Sequence, residues 1–226
     1  CRPSAFIWEN VKGTFSSNNG EDFWAIIQAF ANIGGYRLEW QLLNTKWFLP
    51  QNRERVYLVG YIAEGSGGEV FPIRENFKGI NEGSKQTSTV RTLTAGGNSG
   101  GLHSSMTLIK VKSATKKGYE EAELGDSINC SVLNSKTRRG RVGKGVAQTL
   151  DTKCEQAVLL DQIRRLTPIE CERLQGFPDD HTQFGDYNGI IKEVSNTQRY
   201  KMCGNAVTVD VVEAVGRNLI KIINKQ

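Results

Sequence analysis

Apolar positions fall into strand-like and helix-like patterns at both ends of this chain, with a long middle that sustains neither. The run Ala5-Phe6-Ile7-Trp8-Glu9-Asn10-Val11, followed by Lys12-Gly13, predicts a buried strand that delivers Glu9 and Asn10 to its C-terminal end. That is where α/β sheets place their chemistry. Phe23, Ile26, Ile27 and Phe30 recur at helical spacing, and Gly34-Gly35 predicts the stop of that helix. Residues 36–43 and 55–62 are strand-like and are joined through Pro50-Gln51-Asn52. Strand, helix, strand and strand predict the second half of an open, mostly parallel sheet.

Between about 63 and 153, Gly, Ser, Thr and Lys prevail without helical period, which predicts short strands and loops. Helical signals then return. Thr167-Pro168-Ile169-Glu170 reads as a capping box with Pro at the first helical position, and Gly176-Phe177-Pro178 ends that short helix. Over residues 207–223, Val211, Val212, Val215, Leu219, Ile220 and Ile223 mark an amphipathic helix expected to dock on the first lobe.

Composition narrows the class. The chain has 226 residues, 38% hydrophobic and 23% charged, enough for a sizeable core, and no run of about 18 apolar residues to span a membrane. No charged-then-apolar leader marks it for secretion, so a cytoplasmic location is expected. The opening Cys1-Arg2-Pro3, without Met, leads at once into an apolar run, as in a piece of something longer. Five cysteines, at 1, 130, 154, 171 and 203, and two histidines, at 103 and 181, show no Cys-x-x-Cys spacing. Reduced thiols are therefore expected, with neither a disulfide framework nor a metal site. Residues 71–150 carry 13 Lys and Arg against 6 Asp and Glu, whereas the whole chain is only +5. A basic segment on a neutral scaffold suits a polyanion-facing lobe.

Four separated blocks carry a family resemblance: Glu9-Asn10-Val11-Lys12-Gly13, Pro50-Gln51-Asn52-Arg53-Glu54-Arg55-Val56-Tyr57, Arg165-Leu166-Thr167-Pro168 through Gly176-Phe177-Pro178, and Gly204-Asn205-Ala206-Val207. In this order, and over essentially the whole chain, they resemble the DNA (cytosine-5)-methyltransferase family. The resemblance implies an α/β fold: a partial Rossmann-like methyltransferase sheet over 1–63, an inserted, mostly β and loop target-recognition lobe that binds DNA over 64–164, and a segment over 165–226 that links the lobes and returns to the catalytic domain. It implies methyl transfer from S-adenosylmethionine to carbon 5 of cytosine in a specific sequence of double-stranded DNA, as in restriction-modification.

The implied chemistry accounts for the residue types. Carbon 5 of cytosine is a poor nucleophile, so the family adds a cysteine thiolate to carbon 6, which makes carbon 5 enamine-like. By its match to the Glu-Asn-Val block, Glu9 is the carboxyl group that shares a proton with ring N3. Arg53 and Arg55 alternate with Glu54, so both project to one face of a strand. The resemblance gives Arg55 a contact to the flipped base or to Glu9, and Arg53 a neighbouring pocket role. Because the duplex hides carbon 6, the base must be extruded. Either Thr92-Leu93 or Thr149-Leu150 corresponds to the Thr-Leu dipeptide of the family's recognition domain. Lys136, Arg138, Arg139, Arg141 and Lys144, among Gly140, Gly143 and Gly145, are the candidates for phosphates or guanine edges. Asn205, Ala206 and Val207 are implied to close one side of the cofactor pocket, and residues 165–178 to organise one lobe against the other.

The chain also departs from the family pattern. Trp47-Phe48-Leu49 stands where an aromatic-Gly-aliphatic step is usual, and the sequence holds neither a Phe-x-Gly-x-Gly cofactor loop nor a Pro-Cys dipeptide. The expectation is a C-terminal portion, inactive alone, whose N-terminal half supplies loop and thiolate from the same chain or from a partner subunit. The alternatives are a natural split subunit and a non-catalytic, sequence-specific DNA-binding module.

Overall fold

The computed structural model describes residues 3–62, 68–75, 109–132, 135–160 and 163–224. Its N-terminal part contains β1 (Ala5–Val11), α1 (Glu21–Asn32), β2 (Arg37–Asn44), β3 (Gln51–Asn52) and β4 (Glu54–Tyr61). The first sheet has the order β1-β4-β2, and β4 runs antiparallel to both neighbours. This corrects the expectation of mostly parallel pairing. Only nine residues connect β2 to β4, and a parallel neighbour would need a crossover of a dozen or more. β1 and β2 point the same way, as the intervening helix allows, but β4 lies between them.

β4 is the spine of the molecule. Val56 through Tyr61 are all buried or backbone-packed, and one face places Tyr57, Val59 and Tyr61 against Val211, Ala214, Val215, Leu219 and Ile222. Those five belong to α4 (Val209–Ile223), so the C-terminal helix docks on the first sheet. On the other face Phe6 stacks on Phe30 of α1, 4.7 Å between ring centroids. The bulky Trp47-Phe48 step is accommodated by a 3-10 turn over Thr45–Trp47, and both rings pack at the edge of the α4-facing core.

The middle region builds short strands, as its composition predicts: β5 (Ile109–Lys112) and β6 (Tyr119–Ala122) form a hairpin, followed by β7 (Ser127–Asn129), β8 (Val142–Gly143), β9 (Ala147–Gln148), β10 (Gln156–Leu159) and β11 (Ile163–Arg165). A second sheet has the order β11-β10-β7-β8. β9 pairs in parallel with β3, Gln51 opposite Ala147 and Asn52 opposite Gln148, and so stitches the middle region to the first sheet.

The last part holds α2 (Pro168–Leu174), β12 (Phe184–Tyr187), β13 (Ile190–Glu193), α3 (Asn196–Asn205) and α4. The capping box forms as its pattern predicts: Thr167 accepts from the Glu170 amide, and the Glu170 carboxylate accepts from the Thr167 amide. Gly176 takes φ +79, and an added Cβ would lie 2.4 Å from Asp210. α3 and the β12–β13 hairpin are absent from the sequence reading. Among the described residues, no helix is long and apolar enough to cross a membrane.

Candidate active site

Strand register brings the first candidates together. Glu9 lies opposite Tyr57 and Val11 opposite Arg55, so Glu9 and Arg55 are diagonal neighbours on one face of the β1–β4 pair. Arg55 Nε lies 3.0 Å from Glu9 Oε1, with the two side chains 16% and 23% exposed. Glu9 Oε1 is nevertheless closed off from solvent without a well-aligned hydrogen bond among the described residues. The ion-pair distance and the orphaned lone pair are compatible, because proximity does not ensure that the N–H points at the oxygen. One carboxylate oxygen is thus held in place with acceptor capacity left over.

Arg53 lies two residues before Arg55 and is buried. Its Nη2 donates to Ala206 O at 2.8 Å, and its Nη1 reaches Leu150 O at 3.5 Å. The guanidinium therefore ties the Gln-x-Arg-x-Arg block to the Gly-Asn-Ala-Val block and to the Thr-Leu dipeptide of the middle region. Burial, helped by the Arg55 charge and opposed by Glu9, pushes Arg53 down to about 10, so it stays protonated at neutral pH. Burial and the Glu9 charge push the Tyr57 hydroxyl up, keeping it neutral beside the pair.

A polar cleft of about 310 Å³ opens next to this pair, lined by Val11, Lys12, Gly13, Asn52, Glu54, Arg55, Gln148 and Thr149. Lys12 Nζ bridges to Glu54 Oε2 at 2.9 Å across its rim. Thr149 Oγ1 donates to Asn52 O at 2.8 Å, and Leu150 is buried in the α2–α3 core. Of the two Thr-Leu candidates, Thr149-Leu150 thus stands at the cleft; Thr92 and Leu93 lie outside the described residues. Among the described residues no cysteine lines this cleft: Cys154, Cys171 and Cys203 are buried in a separate core, and Cys130 is half-buried in the middle region.

The basic candidates divide. Arg141 is buried, and its guanidinium donates to the carbonyls of Asn129, Ser131 and Val132, an anchoring arrangement that leaves it unavailable to a phosphate in this conformation. Arg139 is exposed, although its Nε donates to Ala114 O at 2.9 Å. Arg138 is half-buried and Lys136 exposed on the same loop. Lys144 is exposed and paired with Asp126 at 2.8 Å, and that hydrogen bond holds its ammonium above the usual lysine range.

Asn205 ends α3 and is exposed with Val207, while Ala206 O is taken by Arg53. Asn205 does not cap the final helix; Thr208 holds that position, its hydroxyl bonded to Thr45 and Gln175. The block needs its glycine because a Cβ on Gly204 would lie 2.4 Å from Asp151 O. The 165–178 block carries a buried carboxylate network. Glu172, fully buried, accepts from the Asp180 and Thr182 amides, from the Thr182 hydroxyl and from Arg199 Nη2 at 3.0 Å. Burial pushes its carboxyl up, but these donors outweigh it and hold the group below the usual carboxylate range.

Sequence reasoning missed two elements that carry legible signals. Asn188-Gly189, both at positive φ, form the two-residue turn of the β12–β13 hairpin, and Asn-Gly is a strong hairpin signal. Ser195 caps α3 by accepting from the Gln198 amide, a Ser-x-x-Gln start.

The profile of the C-5 cytosine-specific DNA methylase family matches residues 1–221. The chain is 28% identical, over 97% of its length, to the type II methyltransferase M.Bsp6I of Bacillus sp. (strain RFL6), and 29% identical, also over 97%, to the type II methyltransferase M.HpaII of Haemophilus parainfluenzae. It spans 66% and 61% of those two proteins, and 53% of the type II methyltransferase M1.ScrFI of Lactococcus lactis subsp. cremoris. Its fold is similar to that of the S. pombe Dnmt2 methyltransferase, with a TM-score of 0.50 and 17% identity over 96% of the chain and 66% of that protein.

Proposed function

Since the chain belongs to the C-5 cytosine-specific DNA methylase family, we propose that it forms the base-holding and DNA-reading part of an enzyme that methylates carbon 5 of cytosine in a specific duplex sequence. The observation that carries this reading is the Glu9–Arg55 pair, with its spare buried acceptor, at a polar cleft to which Thr149 of the middle region is tied. Residues 64–164 act as the target-recognition lobe, and the exposed Arg138, Arg139 and Lys144 are its candidates for DNA contact.

S-adenosylmethionine supplies the electrophilic methyl group in such a reaction. In this reading the exposed Asn205 and Val207 line one wall of its site, and the Phe-x-Gly-x-Gly loop that the family uses for the rest is contributed by another segment or subunit. The thiolate that adds to carbon 6 is assigned in this reading to the same other segment or subunit, since the sequence holds no Pro-Cys dipeptide.

What this chain contributes is electrostatic. With a cytosine flipped against the Glu9–Arg55 pair beside the cleft, the Glu9 carboxyl shares a proton with the N3 edge as charge builds on the ring. Arg55 fixes the rotamer of Glu9, and Arg53 holds the Ala206 and Leu150 carbonyls. The test is methyl transfer from labelled S-adenosylmethionine into duplex DNA by the full protein that contains this chain. Glu9→Gln is expected to lower transfer by about 10²–10⁴-fold, as loss of a positioned acid does, while duplex binding persists. Undiminished transfer in Glu9→Gln would remove Glu9 from the chemistry. Binding without any transfer in the unaltered protein would favour a DNA-binding module.

A further inference from the structure

Two thiols separated by sixteen residues meet in the core beneath the Thr149-Leu150 dipeptide. Cys154 follows the turn at Asp151, and Cys171 lies in α2; both are fully buried. Their sulfurs are 2.8 Å apart. That is inside the ~3.5–4.0 Å at which even two carbons make their best contact. Cys203 of α3 belongs to the same cluster, with Leu150, Leu166 and Tyr200. From this geometry we infer that Cys154 and Cys171 are an oxidation site, which a peroxide converts to a disulfide that locks the turn behind Thr149-Leu150 onto α2.

The surroundings set the order of events. The hydrogen bond from Cys171 pulls the Cys154 thiol down, against burial and with help from Arg165, whose Nε donates to Cys154 O at 3.1 Å. The same contact, together with burial, pushes Cys171 up. The Cys154 thiolate attacks one oxygen of hydrogen peroxide, the O–O bond breaks, and a sulfenic acid and hydroxide form. The Cys171 sulfur then attacks the Cys154 sulfur, its proton leaving with the displaced hydroxyl as water. Two thiols lose two electrons and two protons in total, and one peroxide becomes two waters. Thr152 and Lys153, next to Cys154 in the chain, are exposed, so a short opening of this turn brings the oxidant to its sulfur.

The position of the bond gives it reach. The Asp151–Cys154 turn presses on Gly204 and follows the Leu150 carbonyl that Arg53 contacts. A cross-link there fixes the spacing between recognition dipeptide, α2 and the Gly-Asn-Ala-Val block at once.

The experiment is peroxide titration of the full protein, followed by non-reducing digestion and mass spectrometry. A Cys154–Cys171 peptide about 2 Da lighter than its reduced parts, reversed by dithiothreitol, is expected. The unfolding midpoint should rise by several degrees on oxidation, since the loop closed is about 18 residues. Cys203→Ala should leave the cross-link intact, and Cys154→Ser should abolish both it and the midpoint shift. Pairing of Cys154 with Cys203, or survival of both thiols under peroxide that oxidises Cys130, would overturn the assignment. Because the unaltered protein yields the peptide map, a variant that fails to fold does not blunt the test.

Discussion

The molecule contains two Arg–Glu pairs with the same 3.0 Å separation and opposite character. In the α2–α3 region, Glu172 is wholly buried and receives four hydrogen bonds, from two amides, a hydroxyl and Arg199. At the β1–β4 rim, Glu9 is partly exposed, faces Arg55, and keeps one buried oxygen without an aligned donor. The first carboxylate has nothing left to offer a ligand, because each added donor has already been supplied by its own fold. The second is positioned but unsaturated, which is the condition for meeting a substrate proton. Identical residue types thus serve folding in one place and chemistry in the other, and hydrogen-bond saturation tells them apart.

The sharpest way to break the comparison is to remove each carboxylate and measure stability. Glu172→Ala leaves Arg199 buried with the exposed Asp180 as its carboxylate partner and the Thr182 hydroxyl as its other acceptor, and should cost about 3–5 kcal/mol in urea unfolding, the usual penalty for breaking a buried ion pair. Glu9→Gln should cost under about 1 kcal/mol, since its pair is partly solvated and one acceptor is already unused. Equal losses at the two positions would end the distinction.

Arg53 sharpens the comparison from the other side, as a buried cation without a carboxylate in contact. Arg53→Ala removes the bond to Ala206 O and the longer contact to Leu150 O, and should cost about 2 kcal/mol, in the range of hydrogen bonds to a charged group. Arg53→Lys should recover only part of this, because one ammonium does not reproduce the planar fork that spans two carbonyls. Chemical unfolding of the two variants side by side checks the order; a lysine that restores full stability would make charge, not shape, the requirement.

These contrasts also show how far the sequence could be read. The Glu9 strand, the α1 periodicity, the Thr167–Glu170 capping box and the docking of α4 were legible because each rests on local pattern. Alternation alone predicts one face for Arg53 and Arg55; register sets Arg55 beside Glu9, whereas Arg53 precedes the paired residues of β4 and reaches Ala206 O and Leu150 O. The pairing direction of the first sheet was not legible, since strand order depends on how β4 slots between β1 and β2. Nor could spacing show that Arg141 would fold inward onto three carbonyls while Arg139, two residues earlier, stays exposed. The meeting of Cys154 with Cys171 likewise depends on α2 packing against the turn at Asp151. By contrast, α3 and the β12–β13 hairpin had local signals, Ser195-x-x-Gln198 and Asn188-Gly189, and were simply passed over.

The smallest effect concerns a third Arg–Glu pair, more exposed than the other two. Arg164 holds Glu170 through two parallel contacts, Nη1 to Oε2 at 2.8 Å and Nη2 to Oε1 at 2.7 Å, with the side chains 44% and 30% exposed. The hydrogen bond from Arg164, opposed by burial and aided by the Thr167 amide, pulls the Glu170 carboxyl from its ordinary 4.5 to about 2. A folded value below the unfolded one means that the contribution is complete above about pH 4.5 and is lost as pH falls toward 2. Because solvent screens this exposed pair, its worth is about 1 kcal/mol and not the full linkage value of the shift. Urea unfolding of Glu170→Gln against the unaltered protein should therefore show a gap of about 1 kcal/mol at pH 7 that narrows below about pH 4.5 and closes as pH falls through about 2. A gap that persists undiminished at the lower pH would assign the contribution to the capping contact with Thr167, which a glutamine also weakens, and not to the charge of Arg164.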